Sequence, residues 1–269
     1  MSKLYKNISY DIKAGFTRNI LYYLVWSLVI ILFTITIMSE LKEMCPESAC
    51  SWLDVLVNFL LGVEGNNIFE GNQLLQFPME WFAIQMYILI GIARFPKQDY
   101  EECGYHIWIR TRSKVAWWIS KVIWCFLHVI LSYVICGCVI VIVTWIGTGN
   151  LSLEVNNLFQ LNLLSVQIGK INSIIFILPI LVTFAIGMIT MTISFCSDGL
   201  MGLLTGTVIV LLSVFVDNPL AVGRYTMLYS YFSKQNEYQY SIWLGAVLCL
   251  VLITVFGVIG YVMFRRKEI

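Results

Sequence analysis

Charged residues are scarce in this sequence, and their scarcity excludes an ordinary soluble protein. They make up 12% of the 269 residues, whereas hydrophobic residues make up 59%. Soluble domains average about 25% charged and roughly 45–50% apolar residues. The alternating pattern typical of an outer-membrane barrel is missing, so helices must satisfy the backbone in lipid. The sequence therefore predicts an all-α integral membrane protein.

Motifs of common catalytic and metal sites are also missing. The chain has no G-x-x-x-x-G-K-[ST] phosphate loop, so it is not expected to hydrolyse ATP by that route. It has no H-E-x-x-H motif, and only His106 and His128 are available to a metal. His128 lies in an apolar run, where it is either a proton relay or a polar side chain packed inside the bundle. We expect no enzyme activity, metal or cofactor on this chain.

Acids are missing from the centres of the apolar runs. Lys121, Asp198 and Asp217 all lie near the ends of such runs. Ion-coupled carriers usually hold charged groups or broken helices near the middle of the membrane. The pattern therefore disfavours an ion-coupled carrier and favours energy supplied by another protein.

Six apolar runs are long enough to cross a bilayer core of about 30 Å, which takes about 20 residues as a helix. The runs cover about residues 19–38, 79–95, 116–146, 173–195, 200–216 and 241–264. Only the short turn Cys196–Gly199 joins the fourth run to the fifth, which predicts that these two helices are antiparallel neighbours. Gly202 and Gly206 then permit close helix packing, most simply within one subunit.

The basic residues are distributed unevenly between the two sides of these spans. Only Lys42, Lys170, Arg224 and Lys234 fall in the loops after spans one, three and five. The other cations flank the N-terminus, the second loop and the C-terminus. By the positive-inside rule, both termini are predicted to be cytoplasmic.

The first 18 residues predict an amphipathic helix that lies on the inner face of the membrane. Leu4, Ile8, Ile12 and Phe16 recur every four residues, and most charges lie elsewhere. This helix is either a plain membrane anchor or a mechanical element. Residues 19–269 then form a single transmembrane domain.

The predicted outer loops contain three further features. A helix is expected at 51–62, and the segment 147–172 is expected to lie along the outer interface. Several tyrosines in the loop 217–240 are expected at headgroup level. Cys45 and Cys50 could form a small disulfide in an oxidising compartment.

A basic and aromatic segment, GYHIWIRTRSKVAWWISK, occupies residues 104–121 on the predicted cytoplasmic side. Its cations could hold the topology and contact anionic lipid, with Trp117 and Trp118 as interfacial anchors. Asp99, Glu101 and Glu102 precede it, and Gly104 separates these acids from the bases. Lipid contact alone does not explain this order of acid, glycine and base.

The chain resembles the permease subunits of ABC-2-type (type V) ABC transporters. The resemblance rests on the N-terminal amphipathic helix, six spans, one substantial cytoplasmic loop and the missing ATPase motif. More specifically, FPMEWF at 77–82 followed by GYHIWIRTRSKVAWWISK resembles a group of such permeases from Gram-positive bacteria. NPLAVGRYTMLYS at 218–230 is similar to the last outer loop of the same group.

This resemblance implies a partner and a role for the second loop. The loop at about 96–115 would contain a coupling helix that docks on a separate cytoplasmic ATPase, which binds ATP and Mg. The implied contact residues are Asp99, Tyr100, Glu101, Glu102, Arg110, Arg112 and Lys114. Two permease chains, identical or different, would face each other in the bacterial cell membrane, in contact with lipid and not with nucleic acid. The implied activity is export of a peptide, drug or lipid-like compound, with residues 1–18 as the connecting helix.

Two other functions remain open from the sequence. A non-transporting sensor or immunity protein would use the long segments 39–78 and 147–172 to capture a ligand. An ion-coupled carrier would transport without an ATPase.

Overall fold

A computed structural model describes residues 2–44, 50–62, 77–111, 113–149, 176–232 and 240–266. Within these ranges the chain forms helices and no strands, as the sequence predicts. The helices are α1 (Ser2–Arg18), α2 (Ile20–Met44), α3 (Trp52–Phe59), α4 (Met79–Thr111), α5 (Lys114–Thr148), α6 (Leu178–Cys196), α7 (Gly199–Phe215), α8 (Tyr229–Phe232) and α9 (Ile242–Arg266). A 3₁₀ helix covers Val222–Thr226. The predicted interfacial segment at 147–172 lies mostly outside the described residues.

Four of the described helices are long and apolar enough to cross a membrane. They cover Ile20–Glu43, Lys114–Thr148, Leu178–Cys196 and Ile242–Arg266. Helix α7 is apolar but has 17 residues, a length of about 25 Å at 1.5 Å per residue. Helix α4 is long, but its second half is polar. The membrane character is supported, and the count of six spans stays a prediction.

Helix α6 occupies the centre of the bundle. It packs against α4, α5, α7 and α9. Within its most apolar stretch, 83% of the residues are buried inside the protein. By contrast, 11% of the residues in the most apolar stretch of α9 are buried. The outward faces of α2, α5, α7 and α9 carry exposed Leu, Ile and Val side chains. This arrangement is the one expected of a helix bundle immersed in lipid.

The α6–α7 pair confirms the predicted antiparallel hairpin and the role of its glycines. A Cβ atom placed on Gly202 would lie 2.7 Å from the Cα of Ser194 on α6. A Cβ atom placed on Gly206 would likewise collide with Oγ1 of Thr190 on α6. These two glycines therefore let α7 approach α6 within one subunit.

Helix α1 faces the bundle with a different stripe from the one that the sequence suggests. Asn7, Asp11 and Gly15 are its buried residues, whereas the four-residue apolar stripe that begins at Leu4 is only half-buried. A Cβ on Gly15 would lie 2.8 Å from Cε2 of Trp124 on α5. The close approach of α1 to α5 therefore directs a polar side chain, Asp11, into the bundle.

Helix α3 lies at the opposite end of α5 and confirms the predicted helix at 51–62. Ser51 caps it, since the Ser51 hydroxyl accepts from the Asp54 amide at 3.2 Å and the Asp54 carboxylate accepts from the Ser51 amide at 2.9 Å. The amide of Leu228 donates to the Leu60 carbonyl at 2.8 Å. The helix is thus fixed to the segment that precedes α8.

The two ends of the described chain lie at the same end of the bundle. Helix α1 packs on the first half of α5, and Lys114 Nζ donates to the Arg265 carbonyl at 3.2 Å. We call this end the α1 end and the opposite end the α3 end. The side of the membrane on which the α1 end lies stays a prediction.

We expect Gly202→Ala to destabilise the bundle, because the added methyl group meets the Ser194 backbone. Overpacking of this kind costs about 1–3 kcal/mol. Gly137→Ala on α5 is the matched control, because a Cβ there meets nothing within 4 Å. Thermal unfolding of both variants in detergent measures the difference, and equal Tm values would contradict the packing of α7 on α6.

Candidate functional site: a buried charge cluster

Three charged side chains from three helices meet inside the α1 end of the bundle. Asp11 comes from α1, Asp99 from α4 and Lys121 from α5. We call these three residues the charge cluster. On α4 and α5, Phe95, Trp117 and Trp124 near the cluster belong to the apolar core of the bundle. On α1, the close approach of Gly15 to Trp124 brings Asp11 inward.

The Lys121 ammonium lies between the two carboxylates. Its Nζ is 2.7 Å from Asp11 Oδ1 and 2.5 Å from Asp99 Oδ2. The side chains of Lys121 and Asp99 are 0% exposed, and that of Asp11 is 3% exposed. Both contacts are charge-assisted hydrogen bonds, which are stronger than neutral ones.

Aromatic rings surround the ammonium on its other sides. Lys121 Nζ lies 4.9 Å from the centre of the Phe95 ring and 5.1 Å from that of Trp117. Phe95 in turn stacks on Trp124 at 4.2 Å. These rings exclude water and add cation–π attraction to the two ion pairs.

The charge cluster contains two potential negative charges and one positive charge. Burial raises the pKa of the Asp11 carboxyl above its ordinary value of 3.8, and the nearby Lys121 ammonium only partly offsets this effect. In and beside the cluster, Asp11 Oδ2, Asp99 Oδ1 and Asn7 Nδ2 are buried without a hydrogen-bond partner among the described residues. Burial therefore makes Asp11 easier to protonate than an exposed aspartate, while Lys121 acts in the opposite direction.

Helix α4 carries the cluster into the predicted coupling segment without a break. The sequence predicts a span ending at residue 95 and a separate loop, but α4 is one helix from Met79 to Thr111 with Pro96 inside it. Proline removes a backbone hydrogen bond from a helix. The buried side chains of Phe95 and Asp99 on either side of Pro96 hold the helix together through tertiary contacts.

Tyr100 and Lys97 tie this part of α4 to other helices. The Tyr100 ring packs against Phe195 of α6 at 5.1 Å and Phe264 of α9 at 6.1 Å. Lys97 Nζ donates to the Ser197 carbonyl at 3.0 Å and forms an ion pair with Asp198 in the α6–α7 turn. This contact lowers the pKa of the Asp198 carboxyl.

The predicted coupling residues have different surroundings. Asp99 is buried in the charge cluster, where its carboxylate pairs with Lys121 of the same chain, and its predicted role in ATPase coupling stays a prediction. Glu101 is exposed, and Lys114 contacts the end of α9. Glu102 and Arg110 lie on α4, but their side chains and the whole of Arg112 are outside the described residues.

The two tryptophans predicted as interfacial anchors are buried in the bundle. Trp117 is 2% exposed and stacks on Phe264 at 4.6 Å. Trp118 is 3% exposed, and its Nε1 donates to the Gly257 carbonyl at 2.9 Å. Both residues therefore join α5 to α9 within the bundle, and their predicted position at a lipid interface stays a prediction.

His128 and the cysteines supply no second site of this kind. His128 is fully buried, and its Nδ1 lies 2.5 Å from the Tyr23 hydroxyl, as expected of a polar side chain packed inside the bundle. Cys50 carries a free, buried thiol. Cys45 lies outside the described residues, so its pairing with Cys50 in an oxidising compartment stays a prediction. Among the described residues no group of His, Cys, Asp and Glu has the arrangement of a metal site.

A second buried ion pair stabilises the α3 end. Arg224 NH1 lies 3.0 Å from Asp217 Oδ1, and both side chains are buried. The Tyr240 hydroxyl donates to the same carboxylate at 2.5 Å. Tyr225 is fully buried beside them, and burial raises its pKa to about 12. Tyr225 and Tyr240 thus pack inside the protein, and their predicted position at headgroup level stays a prediction.

Asp11, Lys121, Asp217 and Arg224 are the important residues that the sequence reading missed. The sequence identifies Lys121 and Asp217 only as charges near the ends of apolar runs, and Arg224 only as a loop cation. The spacing Asn7-Asp11-Gly15 places two polar side chains and a glycine on one helix face. This spacing indicates that the polar face of α1 contacts another helix.

Comparison of the chain with family models, with curated proteins and with solved structures gives no match.

We expect Lys121→Met to destabilise the protein strongly, because it leaves two buried carboxylates without a cation. Removing one partner of a buried ion pair costs about 3–5 kcal/mol. The triple variant Asp11→Asn/Asp99→Asn/Lys121→Met should regain most of this loss. Thermal unfolding in detergent measures both effects, with Lys42→Met on the exposed surface of α2 as control. A triple variant as unstable as the single one would contradict the electrostatic origin.

The raised pKa of Asp11 predicts a pH dependence of stability. The folded-state pKa lies above the ordinary value of 3.8, so the folded protein releases this proton at a higher pH than the unfolded chain. The contribution of Asp11 to stability is complete below that ordinary value and is lost as the pH rises through the folded-state pKa. We therefore expect the Tm of Asp11→Asn, relative to the wild type, to increase as the pH is raised. A difference in Tm that does not change with pH would contradict the raised pKa, and Glu43→Gln on exposed α2 is the control.

Proposed function

We propose that the chain is the permease subunit of an ATP-driven ABC transporter of the ABC-2 type. The observation that carries this proposal is the charge cluster, which joins the N-terminal helix, the polar extension of α4 and the start of α5. A coupling element needs such a joint, because a push on an exposed helix must reach the spanning helices. The resemblance of residues 77–121 to Gram-positive permeases agrees with this proposal.

The packing around the charge cluster supports transmission of a movement. Residues 97–111 continue α4 as one helix, so a partner bound there would displace α4 directly. The ion pairs of Lys121 would carry the displacement to α1 and α5. Tyr100 and Lys97 would carry it to α6, α9 and the α6–α7 turn.

The proposed partners would supply ATP binding and hydrolysis, for which this sequence has no phosphate-loop motif. ATP and Mg would be bound by separate cytoplasmic ATPase subunits. A second permease chain would complete the transporter in the bacterial cell membrane. The proposed activity is export of a peptide, drug or lipid-like compound.

An ion-coupled carrier is the second candidate, and one observation favours it. The charge cluster has one more carboxylate than ammonium, and a raised pKa at Asp11 suits a site that gains and loses a proton. Its position at the end of the bundle is less suitable, because carrier sites lie near the middle of the membrane. Transport that continues after ATP depletion and stops when the proton gradient is collapsed would favour this candidate.

The test of the coupling role is association with an ATPase. The tagged chain is purified from its native membranes in mild detergent, and ATP hydrolysis and a co-eluting protein with a phosphate-loop motif are measured. We expect Glu101→Gln/Arg110→Gln to weaken ATPase association by about tenfold, equivalent to about 1.4 kcal/mol. Both residues lie on the polar extension of α4, where the proposed partner binds.

Lys42→Gln/Glu43→Gln is the matched control, since it also removes one charge of each sign, from the far end of α2. This control should keep both the co-eluting protein and the hydrolysis. Full hydrolysis in both variants, or the absence of an ATPase from the wild-type preparation, would count against the proposal.

A further inference from the structure

An apolar cavity of about 470 Å³ lies at the α3 end, far from the charge cluster. Helices α3, α4, α5 and α6 contribute to its walls. Its volume falls within the range of roughly 300–1,000 Å³ that is typical of small-molecule sites. Gly137 of α5 lies in the wall, 16 residues after Lys121, or about 24 Å along the helix.

The walls select an uncharged hydrocarbon. Among the described residues that line the cavity, none carries a charged side chain. The Tyr133 hydroxyl is already hydrogen bonded, at 3.2 Å to Gln85 Nε2 and at 2.9 Å to Thr183 Oγ1. Water fills a cavity only where it finds several polar partners, so this cavity does not suit water.

The cavity opens on the face of α5 that is directed away from the bundle. Val134 and Ile142 line it and are 52% and 53% exposed. They lie on one of the four helices that are long and apolar enough to cross a membrane. Lipid chains are therefore the material that adjoins the opening.

The cavity is formed by parts of the chain that are held in place. The capping box of Ser51 and Asp54 fixes the start of α3, and backbone hydrogen bonds fix its end to Leu228 and Tyr229. Gly137 leaves open space where any other residue would place a Cβ atom. A chain that enters thus meets a preformed surface and gains dispersion contacts that an empty cavity would lack.

We propose that this cavity binds one acyl chain of a membrane phospholipid. The bound group is an unbranched hydrocarbon inserted between α3 and α5, with its headgroup outside the apolar walls. The site does not depend on an ATPase, so it stands or falls separately from the proposed transport function.

Photocrosslinking in lipid nanodiscs tests this site. The probe is a phosphatidylcholine with a diazirine on its acyl chain, and mass spectrometry locates the adducts. We expect adducts within residues 133–142 of the wild type and of Gly137→Ala. Gly137→Phe fills the open space and should lose most of these adducts. Adducts on the exposed face of α9, near Val247, report ordinary surrounding lipid and should be equal in all variants.

Thermal unfolding shows whether Gly137→Phe folds, and Val134→Trp at the opening is a second blocking variant if it does not. Val247→Phe is the control for added aromatic volume on a lipid-facing helix, and it should leave the adducts at 133–142 intact. Adducts at 133–142 that are no more abundant than those near Val247, or that persist in the blocking variants, would overturn the proposal. An unlabelled free fatty acid, present before irradiation as a small fraction of the lipid, should lower these adducts only in proportion to its share of the acyl chains, and complete loss of the adducts at that level would assign the cavity to a soluble lipophilic ligand instead.

Discussion

The ammonium of Lys121 is the group on which the α1 end depends. A charge removed from water needs nearby opposite charge, and here two carboxylates from two other helices supply it. The positions of α1, α4 and α5 are therefore linked, because moving any one of them breaks at least one of the two buried contacts of Lys121. Phe95 and Trp117 keep water from replacing the missing partner.

Specific polar contacts are needed because apolar packing alone does little to distinguish one helix arrangement from another in lipid. Helices gain little hydrophobic energy from one another when lipid tails are equally apolar, so small residues and hydrogen bonds set their positions. Gly202 lets α7 approach Ser194, and the Ser194 hydroxyl donates to the Ala93 carbonyl of α4 at 2.6 Å. Thr183 of α6 is hydrogen bonded to Gln85 of α4 at 3.0 Å. The central position of α6 thus depends on polar contacts that hydropathy does not record.

Hydrophobic periodicity and composition predict the helices, but they do not predict which helix faces contact each other. Four long apolar helices, the α6–α7 hairpin and the helix after Ser51 follow from local signals that the structure confirms. Continuation of α4 through Pro96 was not predictable, because it depends on tertiary contacts of Phe95 and Asp99 that outweigh a local helix breaker. Burial of Trp117 and Arg224 was missed for a related reason, since single residues of these types are usual at membrane interfaces and in loops. Their partners, Phe264 and Asp217, come from other elements.

Helix α5 connects the two sites physically. It is continuous from Lys114 to Thr148 and contains both Lys121 of the charge cluster and Gly137 of the cavity wall. A rigid shift of α5 caused by rearranging the ion pairs would therefore also move one wall of the cavity against α3. Helix α3 packs on α5, but backbone hydrogen bonds also fix its end to the segment before α8, so part of its anchoring lies outside α5. Coupling between the two ends thus needs no chain of intermediate contacts, because one helix that moves against a separately anchored neighbour is sufficient.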